Sequence, residues 1–511
     1  MSPAPDLPLG RFLAFAESHP RHPAVEAEDR QVDYGELAIL VRRLARSFAA
    51  VKPQPKVLIH LPQGHRAYAA MLGALMAGGC YAPNNLSAPS ARQAMTLKLF
   101  EPDLVVTEAS AWTGFPGDSP ACPIVDVDAL TGPALDAPLE AGELAYVMFT
   151  SGSTGRPKGV MIPREALAHY AAWAWRSMAV TPQDRWSQHP NIAFDLSVLD
   201  IYGALGAGAT LCPLNGARDR LMPADAIRRL GLTLWNSVPS VVDLMRRAGQ
   251  LTSENLAPLR LMTFCGEPLT QDHLEAIFAA RPDVVVHNTY GPTEATVSCT
   301  MLRLTSASYR RAVAQNVALG EAIRGMTLTL APGPAGSVAS EEGEIWLSGP
   351  QVALGYWRDP RATEAAFGEV RRQGRIERLY RTGDLGRRCG GQLYFQRRLD
   401  QQVKVAGHRV ELGAVDAALR GCGVLAACTV QIDGELHAFV VDPEDRVDPE
   451  ALRRALAGRL AAYEVPKAIH LVDALPLSAN DKIDGAALIA AYRRQGVPEG
   501  VSEEMPDHGS D

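Results

Sequence analysis

Phe149-Thr-Ser-Gly-Ser-Thr-Gly-Arg-Pro-Lys-Gly-Val160 follows directly on an apolar run that begins at Leu144. Glycines and hydroxyls alternate here, and a single lysine closes the stretch. A loop of this composition can turn backbone N–H groups and hydroxyls toward phosphate oxygens. Lys158 adds a compact positive charge. No Gly-Lys-Ser/Thr follows at the spacing of a Walker A loop. The stretch therefore points to a nucleotide enzyme outside the P-loop NTPases.

Outward from this loop the chain alternates short apolar runs with helical patterns. Residues 57–61, 104–106, 144–149, 259–264 and 284–287 read as buried strands. Residues 66–77 read as a helix that stops at Gly78-Gly79, and 272–280 as a helix between the last two strands. This alternation predicts an α/β fold with mostly parallel sheets. From Gly343 the pattern changes: 344–347 and 392–395 are short and β-like, which predicts a smaller β-rich subdomain. After Asp400 it changes again. Residues 410–420 read as a helix, 428–432 and 436–441 as a hairpin across Asp433-Gly434, 449–462 as a helix and 468–472 as a strand. The expected division is a core of 1–399, a mobile α+β lid of 400–495 and an acidic, disordered tail of 496–511.

Composition narrows the function. The chain has 511 residues, too many for one ordinary core. A net charge of −7 without a long basic run argues against a nucleic-acid partner. No run approaches the roughly twenty apolar residues of a membrane span, and the first ten residues lack the pattern of a signal peptide. The eight cysteines are scattered without a Cys-x-x-Cys, so they read as thiols of a cytoplasmic protein.

Several separated segments resemble one family. They are Val32-Asp-Tyr-Gly-Glu-Leu37, 149–160, Phe194-Asp-Leu-Ser-Val-Leu-Asp-Ile-Tyr202 and Asn288-Thr-Tyr-Gly-Pro-Thr-Glu-Ala-Thr-Val297. Gly343-Glu-Ile345 with Gly355-Tyr-Trp357, Tyr380-Arg-Thr-Gly-Asp384, 398–411 and Pro476-Leu-Ser-Ala-Asn-Asp-Lys482 follow in order. In order and spacing they resemble the adenylate-forming superfamily, and within it the amino-acid adenylation enzymes of carrier-protein systems. Phe-Cys-Gly-Glu at 264–267 is similar to D-alanine–carrier protein ligases.

The resemblance implies ATP and Mg2+ as cofactors and assigns residues to them. Thr150, Ser151, Ser153, Thr154 and Lys158 would hold the β- and γ-phosphates. Tyr290, Gly291 and Thr293 would border the nucleotide, with Tyr290 against the adenine. Glu294 would reach Mg2+, a hard cation that favours carboxylate oxygen. Asp384 would take the ribose hydroxyls, and Arg398 would approach ribose and phosphate. Lys482 would bridge the substrate carboxylate and the α-phosphate, a cation placed at developing negative charge. Asp400 would be the hinge on which the lid turns between adenylation and attack by a phosphopantetheine thiol, with the Gly407 loop lining the thiol's tunnel in the second state. Asp481 and Arg397 depart from the glycines usual in the family.

Asp195 lies in an apolar context, where a buried carboxylate needs a partner. A substrate α-ammonium supplies one, and leaving the charge unpaired would cost on the order of 3–5 kcal/mol. The other reading of Asp195 is a helix cap. The resemblance places Leu196, Leu199, Asn236, Thr263, Cys265, Thr289, Val297 and Ser298 around the substrate, with Lys482 at its carboxylate. None is charged or a large aromatic except Lys482, which implies a small amino acid. The acceptor would be a carrier protein acting in trans, from cell-envelope alanylation or from a natural-product pathway. Two alternatives remain at this level: an acyl- or aryl-CoA ligase, and an adenylate-binding sensor without turnover.

Overall fold

The computed structural model describes residues 6–27, 30–108, 121–152, 156–331, 341–372, 374–400, 402–441, 447–476 and 483–494. The apolar run before the glycine-rich loop forms the strand Leu144–Thr150, which pairs antiparallel with Lys158–Pro163 in the register Thr150 to Lys158. That hairpin ends a six-stranded sheet. Its other neighbours, Cys80–Pro83, Lys56–His60, Leu104–Thr107 and Ile124–Asp126, run parallel to Leu144–Thr150. Cys80–Pro83 and Leu104–Thr107 are buried throughout, as expected where helices cover both faces of a parallel sheet.

A nine-stranded sheet has six parallel strands at its centre. They are Val285–Tyr290, Leu261–Phe264, Leu234–Ser237, Arg185–Gln188, Thr210–Pro213 and Pro23–Glu26. Helices Arg164–Ser177 and Leu196–Leu205 lie between the two sheets and pack on each other. Every residue of Leu196–Leu205 is buried, which explains why its sequence lacks a polar face. The helix Tyr34–Val51 begins at Asp33, whose carboxylate accepts the Glu36 N–H while Glu36 accepts the Asp33 N–H. The matched Val32–Leu37 segment is thus a capping box.

Arg164 is a buried cation at the start of its helix. It donates to the carbonyls of Leu75 (3.0 Å) and Gly79 (2.7 Å), at and just beyond the end of helix His65–Met76. A positive charge there adds a donor to carbonyls at the helix end and opposes its negative dipole.

The β-rich part is an antiparallel five-stranded sheet organised around the 15-residue strand Arg375–Cys389. Gln392–Arg398 pairs with it so that Arg398 stands opposite Asp384. Beyond Asp400 the chain forms a two-stranded hairpin, Gln402–Val405 with His408–Glu411. A three-stranded sheet follows, Ala426–Ile432, Glu435–Val441 and Ala468–Val472. Val410, Val415, Leu419, Leu436, Val440 and Leu456 form a separate apolar cluster there.

Two expected helices are shorter in the structure. Val410 belongs to the strand His408–Glu411, and the helix begins only at Leu412. The helix expected over 449–462 ends at Ala457, with Gly458 as its cap. Leu460 and Ala461 then turn inward, and Glu464 accepts the Ala461 N–H. The tail 496–511 lies outside the described residues.

Removal of Arg164 takes the side-chain donor from the Gly79 carbonyl and leaves Leu75 with its backbone donor alone. Arg164→Ala is expected to lower unfolding stability by about 3 kcal/mol, read as a lower thermal midpoint with unchanged oligomeric state. An unshifted midpoint contradicts the role given to this residue.

Candidate active site

The carboxyl ends of the parallel strands face one cavity of about 650 Å³. This is the expected place for a ligand in open α/β sheets. Thr150 and Ser151 border it after one strand, Val238 and Cys265 after two others, and Tyr290 and Gly291 after a fourth. Gly291 is required by close approach: a Cβ there would stand 2.5 Å from the Ser298 Cα. Ser153 and Thr154 lie outside the described residues, as do Lys482 and Asp481. The Lys158 ammonium stands 5.4 Å from the centre of the Tyr356 ring.

At one end of the cavity Asp384 is buried. Its Oδ2 accepts from the Tyr290 hydroxyl at 2.6 Å and its Oδ1 from Arg398 at 2.5 Å. Arg398 also donates to both oxygens of Asp400, at 2.7 and 2.8 Å. Burial alone would raise the Asp400 carboxyl, but Arg398 holds it below the usual carboxylate range. Each Asp384 oxygen retains a second lone pair. Tyr290, Asp384 and Arg398 therefore form one aligned edge with remaining acceptor capacity, and Thr293 lies nearby on the cavity wall.

Glu294 is fully buried in the turn Thr293–Ala295. Its Oε1 accepts from the Tyr356 hydroxyl at 2.7 Å, and Arg409 approaches Oε1 at 2.9 Å and Oε2 at 3.0 Å. Burial works to raise its carboxyl, but the Arg409 guanidinium and the Tyr356 hydroxyl outweigh this and hold it below the ordinary range. Glu294 is thus an anion built to face a cation, as a metal-binding carboxylate must be. After it, Thr296 (φ 56°) and Val297 (φ 70°) are both left-handed, a strained state for β-branched residues. Gln351 braces them: its carbonyl accepts from the Thr296 hydroxyl at 2.7 Å, and its amide donates to the Ser298 carbonyl at 2.8 Å.

Asp195 stands at the N-cap position of helix Leu196–Leu205 yet makes no side-chain capping bond. Among the described residues no cation pairs with it within ion-pair distance. Burial pushes its carboxyl up, opposed by the Thr293 hydroxyl and by Lys404. Leu196, Cys265 and Val297 join it on the cavity wall. The other five side chains expected around a substrate do not reach the cavity. Leu199 packs in the core, and Thr263 is buried in its strand. Asn236 donates to Asp200 at 2.7 Å, Thr289 to the Phe264 carbonyl at 2.9 Å, and Ser298 shares a 3.0 Å hydrogen bond with Tyr170. The Cys265 thiol points to the Val297 carbonyl, and both residues line the cavity wall.

The hairpin after Asp400 forms another wall, through Lys404, Gly407, His408 and Arg409. The Gly407 N–H donates to Glu267 at 2.6 Å, and the same carboxylate takes the Ser240 N–H at 2.9 Å. Gly407 has φ +80°, and a Cβ on it would lie 2.2 Å from Val238 Cγ1. His408 sits between Phe194 and Tyr463, with ring centres 4.3 and 3.9 Å away, and burial lowers it to about 4. Sequence reasoning gave no role to Arg409, Tyr356, Lys404, His408 or Glu267. All five fall within matched segments, but only their meeting across the chain reveals a function.

Residues 12–357 match the family described as AMP-binding enzyme. The chain is 32% identical over 506 residues to an L-proline–[L-prolyl-carrier protein] ligase of Pseudomonas fluorescens, covering 94% of this chain and 98% of that one. It is 29% identical to a D-alanine–D-alanyl carrier protein ligase of Listeria monocytogenes, with the same coverage of 94% and 98%. It is similar in structure to the Vibrio cholerae adenylation domain AlmE in complex with glycyl-adenosine-5'-phosphate. The TM-score is 0.80 at 27% identity, over 96% of this chain and 98% of that one.

Gly407→Ala tests the fit of the hairpin. Left-handed strain and the Val238 contact should raise hydrogen–deuterium exchange across 402–411. Global stability should fall by no more than about 1–2 kcal/mol. Unchanged exchange in that stretch counts against the packing described.

Proposed function

This chain belongs to the AMP-binding enzyme family, and we propose that it activates a small amino acid with ATP and passes it to the phosphopantetheine thiol of a carrier protein acting in trans. The observation that carries this reading is Asp195, a carboxylate on the cavity wall with neither a capping bond nor an ion pair among the described residues. A substrate α-ammonium meets that need. A fatty or aromatic acid does not, which sets the CoA-ligase reading aside. Cys265 and Val297, on the same cavity wall as Asp195, favour a small side chain. The names of the similar carrier-protein ligases support the same assignment.

In the first half-reaction the amino acid's carboxylate attacks the α-phosphorus of ATP and pyrophosphate leaves. Catalysis of such a step is chiefly positioning and charge stabilisation. Asp195 holds the ammonium, so that the carboxylate points toward the nucleotide. Tyr290, Asp384 and Arg398 hold its adenosine end. Thr150, Ser151, Ser153, Thr154 and Lys158 receive the β- and γ-phosphates. Lys482 joins substrate carboxylate and α-phosphate. Glu294 would hold Mg2+, which would supply neutralisation of the triphosphate charge. In the second half-reaction the thiol sulfur attacks the acyl carbon and AMP leaves. The hairpin of Gly407 and His408 then lines the thiol's path, with the lid turned about Asp400; we read the lid orientation seen here as this second one. Dependence on ATP supports a cytoplasmic location.

ATP–pyrophosphate exchange measured across amino acids of both hands and β-amino acids is the direct test. Exchange is expected with one or a few small amino acids and with no fatty acid; the reverse preference overturns the reading. Asp195→Ala should lower amino-acid kcat/KM by 100-fold or more, in line with about 3–5 kcal/mol for an unpaired buried charge, while ATP binding persists. Lys482→Ala should cut adenylate formation by orders of magnitude and largely spare thiol attack on preformed adenylate. Equal losses in both steps contradict a two-orientation cycle.

A further inference from the structure

Asp200 is a fully buried carboxyl that the reaction described above does not use. It lies in helix Leu196–Leu205, five residues after Asp195, and unlike Asp195 it does not border the cavity. Among the described residues no cation pairs with it, and its Oδ2 has no hydrogen-bond partner. Its Oδ1 accepts from the Asn236 amide at 2.7 Å. The same Nδ2 donates to the Leu196 carbonyl at 3.3 Å. Positions 196 and 200 are one helical turn apart, so a single side chain grips the whole first turn. Asn236 is itself fixed, because its N–H donates at 3.1 Å to the buried Ser187 hydroxyl on the neighbouring strand. Beyond Asp200 the helix lies tight on that strand: a Cβ on Gly203 would stand 2.7 Å from the Trp186 ring. Asp195 makes no capping bond of its own, so its place is set by the backbone of this first turn.

We propose that Asp200 is a positioning residue for Asp195: the Asn236 amide ties its carboxyl to the Leu196 carbonyl, and this tie fixes the turn that presents Asp195 to the substrate ammonium. This rests on the functional reading given above and deepens it by naming what sets the amine contact. Asp200 can fill this role only as an uncharged acid. As an anion it would be buried with a single neutral donor and no cation, an unfavourable state. Burial accordingly pushes its carboxyl well above the ordinary range, with the Asn236 hydrogen bond opposing. Two ionised carboxyls on one buried turn would also repel each other. A neutral Asp200 leaves Asp195 as the one anion at the start of this helix, so the substrate ammonium has a single carboxylate to meet.

The test uses the full chain. Asp200→Asn keeps the shape and the acceptor for Asn236 but cannot ionise, and it should hold amino-acid kcat/KM within about threefold. Asp200→Leu and Asn236→Ala each break the tie. Each should raise the amino-acid KM about tenfold or more, with the ATP KM unmoved. In an Asp195→Ala background neither should add a further loss, because both act through that carboxylate. Two readouts need no substrate. Infrared difference spectra of the unmodified protein against Asp200→Asn should show a protonated carboxyl at neutral pH. Hydrogen–deuterium exchange over 195–200 should rise in Asn236→Ala and stay unchanged in Asp200→Asn. Losses that add to that of Asp195→Ala, equal rises in both KM values, or an ionised Asp200 in the infrared overturn the proposal. So does unchanged hydrogen exchange over 195–200 in Asn236→Ala, which decides the matter even where Asp200→Leu does not fold. Each of these failures leaves the amino-acid assignment intact. Conversely, a pyrophosphate exchange assay that no amino acid supports sinks that assignment, while the infrared and hydrogen-exchange readouts still decide the role of Asp200.

Discussion

A fully buried carboxylate cannot be left without positive charge, and Glu294 imposes that condition on the whole molecule. Its turn is fixed by Gln351 and Tyr356, so it cannot swing to solvent to escape the cost. Some cation must come to it. In this structure the cation comes from the lid, 115 residues further along the chain. The contact joins two separately packed bodies, each with its own apolar cluster. Around it gather the weaker attachments: the Gly407 N–H on Glu267, the Phe194–His408–Tyr463 stack, and the Arg92–Glu464 pair at 3.4 Å. Charge-assisted hydrogen bonds and ring contacts of this kind contribute about 0.5–3 kcal/mol each. They select a docking geometry, and the buried ion pair makes an empty Glu294 unfavourable.

The scaffold explains why so few residues suffice. Parallel strands of both sheets end at one cavity, and helices Arg164–Ser177 and Leu196–Leu205 keep the sheets a fixed distance apart. Asp195 is delivered by the first turn of a helix that is buried on every side, so its position tolerates little drift. Tyr290 and Glu294 follow the end of a central strand, and Asp384 and Arg398 face each other across an antiparallel ladder. Strands and helices of the two sheets carry Asp195, Tyr290 and Glu294, and the short hairpin beyond Asp400 carries Gly407, His408 and Arg409.

Much of this was legible in the sequence, for definite reasons. Strands such as Leu104–Thr107 are short apolar runs because both faces are covered, and the glycine-rich stretch at 149–160 announces a loop between paired strands. Gly291, Asp384 and Glu294 stand in motifs whose residue types are tied to their backbone positions. The depth of the cavity was not legible. Leu199, Asn236, Thr263, Thr289 and Ser298 are buried beside the cavity, and whether such a residue reaches it depends on backbone placement that no local pattern encodes. Arg409 was hidden for another reason: its partner depends on how a second body docks, which no local pattern encodes. The helix over 449–462 was overread because Leu460 and Ala461 continue an apolar period that Gly458 has already ended.

The left-handed pair Thr296–Val297 bears on how this cavity could diversify. Val297 forms part of the wall while its backbone holds a conformation that costs a β-branched residue about 1–2 kcal/mol. Replacing it with glycine removes the wall and the strain together, so lost packing and relieved torsion oppose each other in the energy balance. Selectivity at this spot is therefore only loosely coupled to folding. A lineage could widen its diet of amino acids here by a single step, without first accumulating stabilising changes elsewhere.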